Sequence, residues 1–210
     1  MTLIVASALA YFFIAGMKTF AVSLLREDFG VQQAVAVMLL MLVGAAALAG
    51  VIAGGRAGDR LIQRGRMNAR VMVAAVAYAA GAALLAPGFL VASLPIAVVF
   101  FALGGAALAA GNAPLDAARL DIMPSFLWGR AEAVRAVLRQ TAQAIAPLTF
   151  GLLADVFGNS THRGGLRLAS LVMLVTLAAS AAVTWHARRS YARDVATAIA
   201  SEADAGERDA

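Results

Sequence analysis

The sequence predicts an all-α integral membrane protein of six transmembrane helices. Of its 210 residues, 62% are hydrophobic and only 14% are charged, whereas soluble domains are nearer half apolar and a quarter charged. The mean hydropathy is +0.82. The charged residues are also clustered, so that stretches of about 20 residues carry almost none. That is the length an α-helix needs to cross the hydrocarbon core.

Six apolar stretches meet this requirement in turn. The first begins near the N-terminus without the basic residues or cleavage site of a signal peptide, so we interpret it as a helix that stays in the protein. The second and third flank an arginine-rich segment, and Pro87-Gly88 marks the turn before the fourth. A short polar segment precedes the fifth, and Gly164-Gly165 precedes the sixth. The predicted spans are 3–24, 33–55, 71–91, 94–113, 133–155 and 166–186.

The arginines collect at one end of these spans. If the segment between the second and third spans is cytoplasmic, eleven arginines fall on the cytoplasmic side and three on the other. This bias follows the positive-inside rule. It predicts cytoplasmic N- and C-termini, in a plasma membrane of the bacterial inner-membrane type. The eleven are Arg56, Arg60, Arg64, Arg66, Arg70, Arg119, Arg130, Arg135, Arg188, Arg189 and Arg193, and the three are Arg26, Arg163 and Arg167.

The chain divides into a membrane domain and a short tail. Residues 1–190 contain all six spans. Residues 191–210 mix acidic with small side chains and offer little apolar surface to bury. We therefore expect a mobile cytoplasmic tail after residue 190.

One short pattern occurs twice. Gly55-x-x-x-Asp59 closes the second span, and Gly151-x-x-x-Asp155 closes the fifth. The pattern thus lies at the same end of corresponding helices. Because a three-helix unit used twice in opposite orientation is common in secondary transporters, we predict a 3+3 inverted repeat.

The segment after the second span resembles the signature of the major facilitator superfamily, approximately G-x-x-x-D-R/K-x-G-R-R/K. Gly55, Asp59 and Arg60 match, and Gly65-Arg66 follows after three additional residues. Farther along, stretches 112–132 and 146–151 resemble the fourth and fifth helices of a C-terminal half. The resemblance covers residues 3–190. It implies one six-helix half of a twelve-helix transporter that works by alternating access.

The matching residues are the predicted gating motif. At a helix end, Asp59 could accept hydrogen bonds from a neighbouring helix N-terminus and pair with Arg60 or Arg66. The resemblance implies that such contacts hold one face of the transporter closed and break when it opens. The alternative is a segment that only orients the chain, with a solvated aspartate. The motif residues are Gly55, Asp59, Arg60, Gly65 and Arg66.

Polar side chains inside the spans are candidates for a solute path. Lys18 lies in the outer half of the first span, where it either reaches the outer interface or meets an anionic solute. Arg139 and Gln143 are four residues apart and so share one face of the fifth helix. Arg139 lies deep enough that it should point into the bundle. Asn112 and Asp116 are its candidate neighbours, and the sequence leaves open whether Arg139 pairs with Asp116 or contacts the solute.

The predicted function is therefore secondary transport of a small solute. One half supplies only one wall of a central cavity, so the expected partners are the lipid bilayer, the solute, and a second six-helix half or a second copy of the chain. The alternative is a non-transporting six-helix protein or degenerate fragment that serves as a partner subunit.

Other classes of function lack their residues in this sequence. The chain has no cysteine, His162 and His186 stand alone, and no catalytic dyad or phosphate loop is present. We therefore expect no metal site, no cofactor and no enzyme activity. The net charge of +5 does not predict nucleic-acid binding either, because the basic residues lie in short segments between spans, where they act as orientation signals.

Overall fold

The structure is a computed structural model. It describes residues 2–124, 127–161 and 164–208, with side chains except at 159–161 and 202–208. His162 and Arg163 lie outside the described residues. Within them, six membrane-length apolar helices follow one another and no strand occurs. The helices are α1 (Thr2–Phe29), α2 (Gln33–Gln63), α3 (Ala69–Leu90), α4 (Leu94–Asp121), α5 (Trp128–Thr161) and α6 (Gly165–Arg208). The prediction of an all-α protein with six spans in this order is confirmed.

Several helices extend beyond the predicted spans, mainly at the arginine-rich end of the bundle. α2 continues through Arg56 and Arg60 to Gln63, and α4 continues to Asp121. Hydropathy marks where a helix leaves the hydrocarbon. The hydrogen bonds of the helix persist further, because arginine, alanine and leucine are all good helix formers. Much of the predicted gating segment is therefore helical.

Gly65 ends α2 in a Schellman motif. Its N–H donates to the carbonyl of Ile62 at 2.8 Å, and the N–H of Arg66 donates to the carbonyl of Leu61 at 3.1 Å. Gly65 has a φ of 77°, in the left-handed region that costs other L-residues free energy. This glycine of the motif thus has a local structural role, which is to turn the chain from α2 toward α3.

The packing of the six helices has an internal symmetry. α4 packs against α2 and α3, and α1 packs against α5 and α6, while α3 and α6 contact each other. Exchanging α1 with α4, α2 with α5 and α3 with α6 leaves this pattern unchanged. Successive spans run in opposite directions, so the two three-helix units have opposite orientations. This packing is the predicted 3+3 inverted repeat.

A stripe of small residues brings α2 and α4 into backbone contact. Gly50 and Gly54 are buried, and a Cβ atom at these positions would lie 2.1 Å from the carbonyl oxygen of Ala106 and 2.0 Å from that of Ala110. In lipid, close approach of this kind supplies much of the attraction between helices, because apolar burial contributes little there. Gly55 is different, since a Cβ at that position would meet nothing within 4 Å.

The helices are unequally enclosed. In the most apolar window of each helix, 44% of residues are buried for α6 but only 11% for α2 and 11% for α5. α1 and α4 lie between these two, because α4 packs on α2, α1 packs on α5, and α1 contacts α4. One side of the bundle is therefore formed by α2, α4, α1 and α5 in that order. The two least enclosed helices, α2 and α5, lie at its two edges.

α6 continues past the predicted domain boundary at residue 190. It is helical to Arg208, and Tyr191 and Ala198 are buried, with relative exposures of 3% and 6%. Val195 also packs against the core. The predicted boundary does not coincide with a helix end, because these three residues recur at helical spacing and give the segment an apolar stripe. The mobility of residues 191–210 stays a prediction.

Candidate functional site

Four charged residues form a network where α4 ends and α5 begins. The guanidinium of Arg119 donates to a carboxylate oxygen of Glu132 at 2.7 Å, and that of Arg135 donates to Asp116 Oδ1 at 3.2 Å. Arg135 also donates to both oxygens of Glu132. Arg119 and Arg135 are buried. Two carboxylates balance two guanidinium groups, so this inner charge network (Asp116, Arg119, Glu132, Arg135) ties the helices together without net charge.

Arg139 lies one turn farther along α5 and has no such partner. Its guanidinium carbon lies 5.1 Å from the centroid of the Tyr11 ring, a cation–π contact with α1. No described carboxylate lies within 4 Å of it, and its buried Nε has no hydrogen-bond partner among the described residues. The Arg139–Asp116 pair considered from the sequence is not formed, because Asp116 pairs with Arg135 at 3.2 Å.

Tyr78 and Asn112 form a second polar contact between helices. The Tyr78 hydroxyl donates to Asn112 Oδ1 at 2.9 Å, which joins α3 to α4. The Tyr78 ring packs beneath Gly111, where a Cβ would lie 2.7 Å from a ring carbon. Polar side chains thus make two contacts between helices, Arg139 with Tyr11 across α5 and α1, and Tyr78 with Asn112 across α3 and α4.

Lys18 and Gln143 are on the same side of the bundle. Lys18 follows Tyr11 by seven residues on α1, which is two turns and about 10 Å along the same helix face. Arg139, stacked on Tyr11, and Lys18 are thus two cations arranged along one face of α1. Gln143 is half-buried one turn after Arg139. The solute-path role predicted for Lys18, Asn112, Asp116, Arg139 and Gln143 stays a prediction.

A mostly apolar pocket lies beside Lys18. Its volume is about 390 Å³, and its lining comes from α1, α2, α3 and α4. Lys18 is its one charged lining residue among fifteen, all of them in the described part of the chain. No three described His, Cys, Asp or Glu side chains lie close enough together to hold a metal ion.

The predicted gating residues are largely solvent-exposed in this chain. Asp59, Arg60 and Arg66 are exposed, and no described residue forms an ion pair with Asp59 within 4 Å. A separate ion pair near this segment joins Arg70 to Asp121 at 2.5 Å, and Asp121 also accepts a hydrogen bond from the Tyr191 hydroxyl. These three residues join the start of α3, the end of α4 and the extension of α6. The gating role of the motif stays a prediction.

Comparison with known proteins agrees with this architecture. No protein-family model matches the sequence, and no curated protein does. Among solved structures, the chain is similar to a bacterial homolog to the human lysosomal transporter Spinster, in its inward-facing and occupied conformation. The TM-score is 0.76 at 17% sequence identity, covering 92% of this chain and 49% of that one. The inward-facing and unoccupied conformation matches with the same TM-score and identity, covering 92% and 48%.

The chain has the fold of one half of that matched structure. It spans about half the length of the transporter structures that it matches. The fold prediction drawn from the resemblance to the major facilitator superfamily is therefore confirmed. The chain is also an integral membrane protein by the length and composition of its six helices.

Sequence reasoning alone does not identify every residue of this site. Tyr11 could have been noticed by its seven-residue spacing from Lys18, and Glu132 by its three-residue spacing from Arg135, since both spacings place side chains on one helix face. Asp121 and Tyr191 carry no comparable signal, because they are far apart in sequence and meet only through packing of α4 and α6.

Proposed function

We propose that this chain is one half, of the C-terminal type, of a major facilitator transporter. It moves a small solute by alternating access together with a second six-helix bundle. The second bundle is a separate polypeptide or another copy of this chain. The proposed location is a plasma membrane of the bacterial inner-membrane type, with both termini cytoplasmic.

The observation that carries the proposal is the pair of cations on the α1 face. Arg139 and Lys18 lie inside the membrane-length segments, and neither forms an ion pair with a described carboxylate. A cation facing lipid near the bilayer centre costs about 2.5–3.5 kcal/mol on insertion scales. Exposed apolar side chains on α2 and α5 would have no such cost in lipid, whereas the two cations would. Coverage by a second bundle around an aqueous cavity removes that cost.

The residues around Arg139 have distinct proposed roles. Arg139 and Lys18 attract the solute, and Gln143 and Asn112 offer hydrogen bonds. The inner charge network holds α4 and α5 as one body because its charges are already balanced. Asp59 and Arg60, exposed at the end of α2, are free to contact the second bundle and to release it when the cytoplasmic side opens.

The face of α2 that meets the second bundle can be located by cross-linking. Leu48 lies seven residues before Gly55 and is 69% exposed, so it shares a helix face with the motif. Because the chain lacks cysteine, a single Leu48→Cys variant can be labelled in native membranes with a maleimide that carries a photoreactive diazirine, which on illumination inserts into the polypeptide next to it without needing a second thiol. We expect it to capture a second copy or a separate six-helix protein, identified by mass spectrometry.

A matched control lies on the same helix. Leu42 is 56% exposed but about 120° around the axis from Leu48, so Leu42→Cys should capture much less. Uptake of radiolabelled small solutes by liposomes is then compared for the chain alone and for the captured pair, and we expect only the pair to transport. A strictly monomeric chain that moves solute, or equal capture from both positions, contradicts the proposal. A stable pair that moves none of the solutes supports the partner-subunit alternative.

A further inference from the structure

The pocket beside Lys18 has the size and lining of a small-molecule site. Its volume of about 390 Å³ falls within the usual range of such sites, and these are mostly apolar with a few placed polar groups. Here the polar group is the ammonium of Lys18, and the aromatic part of the lining is supplied by Phe13 and Phe101.

Small residues leave this pocket open. Gly44 and Gly105 both line it, and a Cβ at Gly44 would meet nothing within 4 Å. Less than two turns farther along α2, Gly50 lies against the backbone of α4. α2 therefore packs tightly on α4 at Gly50 and leaves open space at Gly44. That open space is the pocket that Lys18 lines.

None of the acidic side chains that the structure describes neutralises Lys18. It lies eleven residues before Phe29, the end of α1, or about 16 Å along the axis. Asp28, near that end, is already paired with Arg167 at 3.2 Å. No described carboxylate lies within 4 Å of Lys18. Lys18 is itself exposed, next to the mostly apolar lining of the pocket. Beside such a lining the effective dielectric constant is lower than in water, which strengthens the attraction between the ammonium and a bound anion.

We propose that this pocket binds a compact organic monoanion, such as an aryl or branched-alkyl carboxylate, with its apolar body among the pocket side chains and its acidic group at Lys18. A polyhydroxylated solute would leave hydroxyl groups without partners in this lining, at a cost in free energy. A second negative charge would have no second cation in the pocket. Every residue that lines the pocket belongs to this chain, so binding of the anion does not require a second bundle. The inference rests on the proposed function only for the statement that this anion is the transported solute.

Binding can be measured on the chain as it is. The probe is 1-naphthoate, titrated calorimetrically into the chain in nanodiscs of zwitterionic lipid, with empty nanodiscs subtracted. The comparison ligand is 1-naphthylmethylammonium, which has the same rings and the opposite charge. We expect naphthoate to bind at least about tenfold more tightly than the cation, a difference of about 1.4 kcal/mol.

Variants separate the charge from the apolar pocket. Lys18→Met keeps length and removes the charge, so it should abolish the preference for naphthoate, whereas Lys18→Arg should retain it. Gly44→Leu fills the pocket without a backbone clash and should weaken binding of both ligands. Ala45→Leu is its control, because Ala45 is exposed on α2 and does not line the pocket. All four variants are compared by elution volume and thermal unfolding, so that a misfolded variant is recognised.

The outcomes distinguish this inference from the transporter proposal. Naphthoate binding that is absent, or is unchanged by both Lys18→Met and Gly44→Leu, overturns the inference, even if the chain pairs with a second bundle and transports. Equal binding of the cationic ligand also overturns it. Binding that depends on Lys18 and Gly44 supports it, even if no second bundle is captured, in which case only the transport role is lost.

Discussion

Two arginines one turn apart on α5 have different surroundings. Arg135 is enclosed by carboxylates, whereas Arg139 lies over an aromatic ring. The sequence places both on one helix face and predicts that the deeper one points into the bundle. It does not predict which of them pairs with Asp116. A shift of α5 by one turn along its axis, about 5.4 Å, would exchange the positions of the two arginines. Hydropathy does not locate a helix along its axis to within one turn.

The contact between Arg139 and Tyr11 should contribute to stability. Tyr11→Leu removes the ring and should lower the free energy of unfolding by about 1–2 kcal/mol, the range for a partly desolvated cation–π pair. Tyr11→Phe keeps a ring and should lose clearly less. The measurement is denaturant unfolding in mixed micelles. The same change is then made in an Arg139→Met background, where Tyr11→Leu should cost little more than Tyr11→Phe. Equal losses in both backgrounds would show that the ring contributes only packing.

At the scale of whole helices, hydropathy predicts each span but not its neighbours. The sequence shows that α2 is rich in glycine, and it draws attention to Gly55 because that residue matches a family signature. The structure shows that Gly50 and Gly54 make the close contact with α4 and that Gly55 faces open space. Periodicity could not separate these cases, because the direction in which α4 lies is set by the packing of the whole bundle.

Adjacent glycines on α2 allow a matched test of this packing. At Gly54, an added methyl group would overlap the carbonyl oxygen of Ala110, so Gly54→Ala should force the helices apart and destabilise the chain by about 1–3 kcal/mol. At Gly55 the same change meets nothing within 4 Å and should be neutral or stabilising by up to about 1 kcal/mol. Thermal unfolding in detergent measures both. Equal destabilisation by the two variants would contradict the packing of α2 on α4.

At the scale of the molecule, the sequence predicts the order of the spans and the inverted repeat, because long apolar runs are a strong signal. The unpartnered side of the bundle is not predictable in this way. It depends on which helices pack most closely. Among the six spans, α2 is the most apolar and α5 the least apolar, so hydropathy alone does not identify the two least enclosed helices. The sequence features that indicate this side of the bundle are its two cations, Lys18 and Arg139.

The distribution of arginine around the bundle predicts its orientation in the membrane. The arginine-rich end carries the turn between α2 and α3, whereas the opposite end has few basic residues, and one of these, Arg167, is paired with Asp28. By the positive-inside rule, we expect the arginine-rich end to be cytoplasmic. Single cysteines at Met67, exposed in the turn between α2 and α3, and at Ser93, exposed between α3 and α4, lie at opposite ends. In intact cells, a membrane-impermeant maleimide should label Ser93→Cys and not Met67→Cys. A permeant maleimide should label both, which controls for reactivity. Labelling of Met67→Cys from outside in sealed cells would reverse the orientation and place the predicted gating motif on the opposite side of the membrane.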